Sequence, residues 1–215
     1  PGWFAVPPLV RTYVIDHVPL RAGGGGHDAT RPTLDGAAWL EHRGAHREAL
    51  SLLLGAGDER SIVAYVARNG RSLVAGGAAG DVLRAIDALP VAVRSSLIAP
   101  EIEARFASGD WDGVAAAVSR FPPGALPPIV ALRAGLVLHL RGRIHDAVDT
   151  YTRGCGPAEP ADTSIVAAIH AYRSAARWLL GDALECRADA ATAMTMADES
   201  ADDAALAAAH TVAAM

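Results

Sequence analysis

Apolar residues along most of the chain recur at the three- and four-residue spacing that places side chains on one face of an α-helix. The stretch "RGRIHDAVDTY" shows the pattern, since Gly142 is followed by Ile144, Ala147, Val148 and Tyr151. If the glycine ends one helix and another helix begins at once, these four residues share one face. The small Ala147 then lets the two helices approach closely, and Tyr151 fills the gap one turn further on.

The same arrangement recurs along the chain, with small or apolar residues five and nine positions after each of five glycines. The glycines are Gly44, Gly77, Gly109, Gly142 and Gly181, at intervals of 33, 32, 33 and 39 residues. This period is typical of helical repeat arrays, in which one hairpin cannot bury its apolar face alone and stacks on its neighbours. We therefore predict an all-α protein of tetratricopeptide-like helical hairpin repeats that form a right-handed superhelical solenoid.

Prolines and glycines separate the repeat units and set the predicted bounds of the helices. The predicted helices cover residues 34–43, 46–56, 60–69, 80–89, 101–107, 111–120, 127–141, 144–153, 162–180 and 183–197, and a last helix starts near residue 201. Residues 1–20 have a different, aromatic-rich pattern, and residues 21–33 contain four successive glycines, as flexible linkers do. We expect a remnant of a preceding domain, a linker and a repeat array over residues 34–215 that is truncated at its C-terminal end.

Composition limits the chemistry that the chain can carry. All 19 basic residues are arginine, and the absence of lysine excludes a P-loop lysine, a Schiff base and a Ser-x-x-Lys nucleophile. The net charge is −5 and the arginines are scattered among acids, so we expect no direct contact with nucleic acid. No apolar run approaches the length of a membrane span. Two cysteines without metal-ligand spacing favour a reducing, cytoplasmic setting.

The sequence presents no recognisable catalytic constellation. Cys155 and Cys186 are predicted to be small, buried or half-exposed residues and not nucleophiles. The histidines, including His139 and His170, form no recognisable triad with the serines and acids of the sequence. We therefore expect no enzyme activity from this segment, and neither a metal site nor a cofactor within it.

A tetratricopeptide register also predicts which side chains face the inner groove of the array, namely those three and six positions before a repeat glycine. These residues are Arg71, Val74, Glu103, Phe106, Leu136, His139, Ala175 and Trp178. A groove that contains Phe106, His139 and Trp178 suits a small molecule or an apolar peptide. Trp39 and Trp111 are instead expected to fill the core between repeats.

Several stretches carry motifs of one protein family. Residues 37–58, "AAWLEHRGAHREALSLLLGAGD", fit the pattern G-x-x-x-x-A-x-x-[HL]-x-L-x-A-G-D after a helix that contains tryptophan. Residues 85–90, "AIDALP", correspond to L-x-x-L-P with Ile86 at the first leucine, and residues 107–111, "ASGDW", fit A-x-G-D-W. Near the start, "FAVPPLVRTYV" is similar to the end of a winged-helix segment, with Pro7 where histidine is usual. Together these stretches resemble the MalT-like group of large ATP-dependent LuxR-type transcription regulators.

That resemblance implies four parts in order: a nucleotide-binding ATPase, a winged-helix segment, a helical-repeat sensor and a C-terminal helix-turn-helix. Residues 1–20 would then be the tail of the winged-helix segment, and residues 34–215 would be the sensor of a cytoplasmic regulator. ATP would bind in an upstream domain outside this sequence, and DNA would be contacted only through a C-terminal domain outside it.

The expected partner of such a sensor is a small-molecule effector or a regulatory protein, without any membrane contact. Because a cut solenoid leaves an apolar face uncovered at its end, the last helix is also expected to pack on another copy, as a homo-oligomer, or to fray. A second interpretation stays open. The chain would then be a freestanding tetratricopeptide adaptor that holds a peptide segment of a partner protein.

Overall fold

The computed structural model describes residues 31–124, 126–156 and 162–214, and all regular secondary structure in these ranges is helical. Eleven helices of eight or more residues follow one another there. They are α1 (Arg31–His42), α2 (His46–Ala56), α3 (Glu59–Ala75), α4 (Ala79–Asp87), α5 (Ile98–Ala107), α6 (Trp111–Val118), α7 (Pro128–Leu140), α8 (Ile144–Gly154), α9 (Thr163–Leu179), α10 (Ala183–Ser200) and α11 (Asp203–Ala213). The predicted all-α class is confirmed for these residues.

Two short helical turns, Val91–Arg94 and Ser95–Leu97, connect α4 to α5. The predicted remnant at residues 1–20 and most of the predicted linker at residues 21–33 lie outside the described residues. Across the described ranges, no helix combines the length and the apolar character needed to cross a lipid bilayer.

The chain divides into two compact units, residues 1–64 and residues 65–215. In the described part of the first unit, α1 packs on α2, and Ala37, Ala49 and Leu50 are buried. In the second unit, helices from α5 onward contact their neighbours in the chain. The odd-numbered helices α5, α7, α9 and α11 also contact one another in succession, and so form a continuous row.

All five repeat glycines adopt the same left-handed turn, with φ between 72° and 79°. At Gly142, the glycine N–H donates to the His139 carbonyl oxygen at 3.0 Å, and the Arg143 N–H donates to the Leu138 carbonyl oxygen at 2.9 Å. The same pair of bonds recurs at the other four glycines. This is the Schellman motif, which satisfies the last carbonyls of a helix. The next helix begins two residues after each glycine, so the prediction that these glycines separate helices is confirmed.

The position five residues after each repeat glycine lies in the core. The residues there are Ala49, Val82, Val114, Ala147 and Cys186, and all are buried. Tyr151, nine residues after Gly142, is fully buried and its ring packs against Gly135 of α7. A Cβ at Gly135 would lie 2.2 Å from Cε1 of Tyr151, so only glycine permits this approach of α7 and α8.

Four predicted helix bounds differ from the structure by three residues or more, and one of them is the start of α1, at Arg31 instead of residue 34. Helix α3 does not end near Asn69 but runs through Gly70, whose lack of a side chain admits Pro100 of α5. Helix α5 begins at Ile98, upstream of the predicted start, because a proline is tolerated in a first turn whose N–H groups have no helical acceptor. Helix α10 continues to Ser200, and the break before α11 follows it.

A buried carboxylate joins α9 to α10. Asp189 accepts hydrogen bonds from Arg173 at 2.8 and 2.6 Å and from Arg177 at 2.7 Å, and it lies 2.9 Å from Nδ1 of His170. Burial disfavours the charged carboxylate, but the hydrogen bonds with His170 and Arg173 outweigh it and lower the pKa of Asp189 to about 2. The cluster therefore holds a satisfied network of charges between the two helices.

We expect Gly142→Ala to lower the free energy of unfolding by about 1–2 kcal/mol, because an L-residue is strained at positive φ. Gly80→Ala in α4 is the matched control, since an added Cβ has open space at both positions and only Gly142 has a positive φ. The control is expected to gain about 0.5 kcal/mol from the helix preference of alanine. Urea unfolding of both variants measures the difference, and equal stabilities would contradict the assigned turn.

We expect Asp189→Asn to cost about 3–5 kcal/mol, because it leaves the buried guanidinium of Arg173 without its counter-charge, whereas Arg177 keeps Glu185. Asp146→Asn is the control: Asp146 pairs with Arg143 at 2.7 Å on the surface, where such pairs contribute about 1 kcal/mol or less. Thermal and urea unfolding measure both. A loss below about 1 kcal/mol at Asp189 would show that the network does not join the helices.

Stability is also expected to depend on pH through His170. Burial lowers the pKa of this imidazole, but its hydrogen bonds to Asp189 and Cys155 prevail and raise the pKa to about 9. The charged form is thus favoured in the folded state, and its contribution is complete below the unfolded pKa of 6.5 and lost as pH rises through about 9. Unfolding free energies from pH 6 to 10 should fall across this window for the wild type and much less for His170→Asn. If the unfolding free energies of the wild type and of His170→Asn fell equally across this pH range, the raised pKa of His170 would be contradicted.

Candidate ligand-binding groove

A groove runs along the row of odd-numbered helices in the second unit. It consists of three cavities of about 260, 160 and 310 Å³, and each shares wall residues with the next. Arg71 and Ile165 line both the first and the second cavity, and Tyr172 and Ala208 line both the second and the third. We call the three cavities together the inner groove.

The third cavity lies between α7, α9 and α11, and we call it the alanine cavity. Its walls are mostly apolar, and they contain Leu136, His139, Leu140, Ala171, Tyr172, Ala175, Ala208, Thr211 and Val212. The cavity exists because the residues of α9 and α11 that face it include alanines. An alanine side chain ends at Cβ and leaves the space empty. A volume of about 310 Å³ is at the lower end of the range of small-molecule sites.

His139 lines the alanine cavity, but its Nδ1 is closed off from solvent and has no hydrogen-bond partner within the described part of the chain. Nδ1 of His139 is buried without a hydrogen bond, and burial lowers the pKa of the ring below its ordinary value. The imidazole is therefore neutral at neutral pH. A buried ring nitrogen without a partner costs about 1–3 kcal/mol.

The rest of the inner groove is more polar. Glu103 accepts two hydrogen bonds from Arg133, at 3.0 and 2.9 Å, and the guanidinium of Arg133 lies 4.8 Å above the ring of Phe106. The exposed Arg71 lines the first two cavities. Asp202, at the start of α11, lines the second of them. This end of the groove therefore suits a charged or polar group, whereas the alanine cavity suits an apolar one.

In the structure, the predicted groove residues lie in separate places and do not form one site. Leu136, His139 and Ala175 line the alanine cavity, and Arg71 and Glu103 line the first cavity. Phe106 is half-buried and packs on the core of the second unit, beneath Arg133. Val74 is half-buried on α3 and lines none of these three cavities.

Trp178 lies apart from the alanine cavity. It is 54% exposed and lines a wide depression of about 530 Å³ on α10 and α11, which shares only Val212 with the alanine cavity. Trp111 packs on the core as predicted. The prediction for Trp39 is wrong: its ring is 48% exposed and is covered on one face by the guanidinium of Arg43.

Counting back from the repeat glycines did not predict several residues that line the alanine cavity. Thr211 and Val212 lie on α11, which precedes none of the five repeat glycines used for counting. Tyr172 lies three residues before the predicted Ala175, so helical spacing alone identifies it as a neighbour on the same face. Comparison with family models, curated proteins and solved structures finds no match to this chain.

We expect His139→Leu to raise the free energy of unfolding by about 1 kcal/mol, because it replaces an unpartnered buried nitrogen with an apolar side chain of similar size. The control is His145→Leu on the exposed face of α8, where a change within about 0.5 kcal/mol is expected. Denaturant unfolding measures both variants. A loss of stability at position 139 would indicate that the imidazole has a structural partner.

Proposed function

We propose that this chain is an effector-sensing domain, and that the alanine cavity binds a small, largely apolar molecule with one hydrogen-bonding group. The observation that carries the proposal is an apolar cavity of about 310 Å³ with His139 among its wall residues. An apolar body would displace water from Leu136 and Val212. The single polar group would pair with the His139 ring and fix the orientation of the ligand.

The repeat architecture belongs to the same proposal. We infer that the paired helices are tetratricopeptide-like hairpins stacked into a right-handed superhelical solenoid. Five identical turns at near-regular intervals support this, as do the buried positions five residues after each glycine. The contact of each odd-numbered helix with the next is the arrangement expected on one face of such an array.

This arrangement also suggests how binding would be transmitted. The alanine cavity touches three successive members of the row, α7, α9 and α11. A ligand between them would favour the spacing of these helices that fits it best. Because each helix of the row also packs on a second helix, such a shift would be passed along the array to whatever adjoins it.

We propose that the recipient of this signal is a cytoplasmic ATP-dependent regulator of the MalT-like LuxR type, with ATPase and DNA-binding modules outside this chain. The shared motifs lie at structural turns, which supports the proposal. The stretch at residues 37–58 covers α1, α2 and the left-handed Gly57. "ASGDW" forms the turn from α5 to α6, where Asp110 caps α6 by accepting the Gly113 N–H at 2.9 Å.

A second candidate is a freestanding adaptor that holds a peptide of a partner protein. The continuity of the inner groove favours it, because three adjoining cavities extend from Arg71 to Val212. A peptide in this groove would place an acidic residue near Arg71 and an apolar one in the alanine cavity. Charge reversal by Arg71→Glu should weaken a peptide and leave a small ligand of the alanine cavity unaffected.

The ligand proposal is tested by ligand-observed NMR with indole, phenols and short N-alkyl amides. We expect binding that Thr211→Trp blocks, because Thr211 lies at the exposed wall of the alanine cavity. Thr195→Trp is the matched control, since both threonines are exposed and each donates to the carbonyl four residues earlier. His139→Leu should weaken binding about tenfold, the equivalent of one lost hydrogen bond. Equal binding by both tryptophan variants would contradict the site.

The regulator and adaptor candidates are separated by the remainder of the open reading frame. A regulator predicts G-x-x-x-x-G-K-[ST] upstream of this segment and a helix-turn-helix downstream of it. A frame that holds only further repeats would contradict the regulator and favour the adaptor.

A further inference from the structure

The turn between α9 and α10 carries four large apolar side chains that the chain does not cover. Trp178 and Leu179 end α9, Leu180 follows it, and Leu184 lies in the first turn of α10. All four are exposed, and Leu184 is the most exposed of them, at 74%. The left-handed turn at Gly181 holds these residues close together. We call the four side chains the leucine patch.

The other four repeat turns have no such patch. The position directly before the glycine is Leu180 at this turn, and elsewhere it is polar or small: Arg43, Gly76, Ser108 and Arg141. The position three residues after the glycine is Leu184 at this turn, and elsewhere the residues are Arg47, Gly80, Asp112 and His145. Because all five turns have the same backbone bonds, the fold does not require leucine at either position. The leucines therefore fit a contact with another molecule.

The leucine patch has the size of the centre of a protein interface. Its exposed side chains present roughly 400 Å² of apolar surface, which is in the range of the largest, often functional, patch on a monomer. Two such patches face to face would bury about 800 Å² of apolar area. The polar residues around them would bring the total above the roughly 1,000 Å² that a specific interface needs.

The charges beside the patch are of both signs. Nε of Arg187 donates to the Ala183 carbonyl oxygen at 3.2 Å, and no acid within the described ranges pairs with this guanidinium. Oδ1 of Asp182 accepts the Glu185 N–H at 3.4 Å, which leaves Oδ2 free. Glu185 itself pairs with Arg177 at 3.1 Å. A wholly acidic or wholly basic partner would place a like charge opposite either Asp182 or Arg187, whereas a second copy of the chain supplies both signs.

We infer that the leucine patch is the contact between two copies of this chain, related by a two-fold axis beside Leu184. The two copies of α10 then run antiparallel, so a residue after Leu184 faces a residue about equally far before Leu184 of the other copy. Arg187 lies three residues after Leu184 and therefore faces the Gly181 turn of the other copy. There it meets Asp182 and the carbonyl end of α9, both of which attract a cation. The symmetry forms this pair twice.

The patch is separate from the other surfaces to which a contact could be assigned. In α11, which the sequence indicates as the contact between copies, the large apolar residues are Leu206 and Val212, and neither is exposed. None of the four patch residues lines the alanine cavity. The inference therefore does not rest on the proposed effector function.

Sedimentation equilibrium of the whole chain from about 1 to 200 μM measures the association. We expect a monomer–dimer equilibrium with a Kd in the micromolar range, as for interfaces of modest size. Leu184→Asp should weaken it by at least about a hundredfold, because the symmetry places two carboxylates in the apolar centre. Val91→Asp is the matched control and should leave the Kd unchanged, since Val91 is 78% exposed and lies outside the patch.

The assigned pairing is tested by Arg187→Glu and Asp182→Arg. Each variant alone should weaken the dimer by about tenfold or more, because it places like charges opposite each other. An equimolar mixture of the two should restore dimers, since every new charge then faces an opposite one. Circular dichroism establishes that each variant is folded.

Three results would overturn the inference. They are a chain that stays monomeric over the whole concentration range, a dimer that a folded Leu184→Asp variant leaves intact, and a mixture of folded charge variants that stays monomeric. The first two decide the question even if Asp182→Arg, which also removes the cap of α10, does not fold.

Discussion

The left-handed turn at each repeat glycine is the constraint on which the rest of the structure depends. Because the glycine N–H and the next N–H close the end of one helix, the following helix starts two residues later in every case. This fixed offset puts the same register of side chains into the core each time. The burial of Ala147 and Tyr151 follows from it, as does the close approach of α7 and α8 at Gly135.

Much of the fold follows from local rules of this kind. The spacing of the glycines, the apolar residue five positions later and the period near 33 residues are all visible in the sequence. The predicted helix bounds are wrong where a tertiary contact has more influence than the local sequence pattern. Gly70 looks like a break, but it is buried under Pro100, and its missing side chain serves packing between α3 and α5 and not a turn.

The candidate sites were predictable to different degrees. Counting back from a glycine correctly groups Leu136, His139 and Ala175, because these residues lie on helices that precede a repeat turn. It cannot find Thr211, which precedes none of the five repeat glycines. The network of His170, Arg173 and Asp189 was not predictable, since its members lie on two helices and only the packing of α9 on α10 brings them together.

Two kinds of chemistry thus lie on opposite sides of α9. The alanine cavity is largely apolar with His139 in its wall, whereas the network around Asp189 consists of paired charges. The most direct test of the central claim is a crystal structure of the chain with the tightest-binding apolar fragment. The ligand is predicted between α7, α9 and α11, with its polar atom within hydrogen-bond distance of the His139 ring. A fragment bound beside Trp178 instead, or a cavity closed by its own side chains, would contradict the claim.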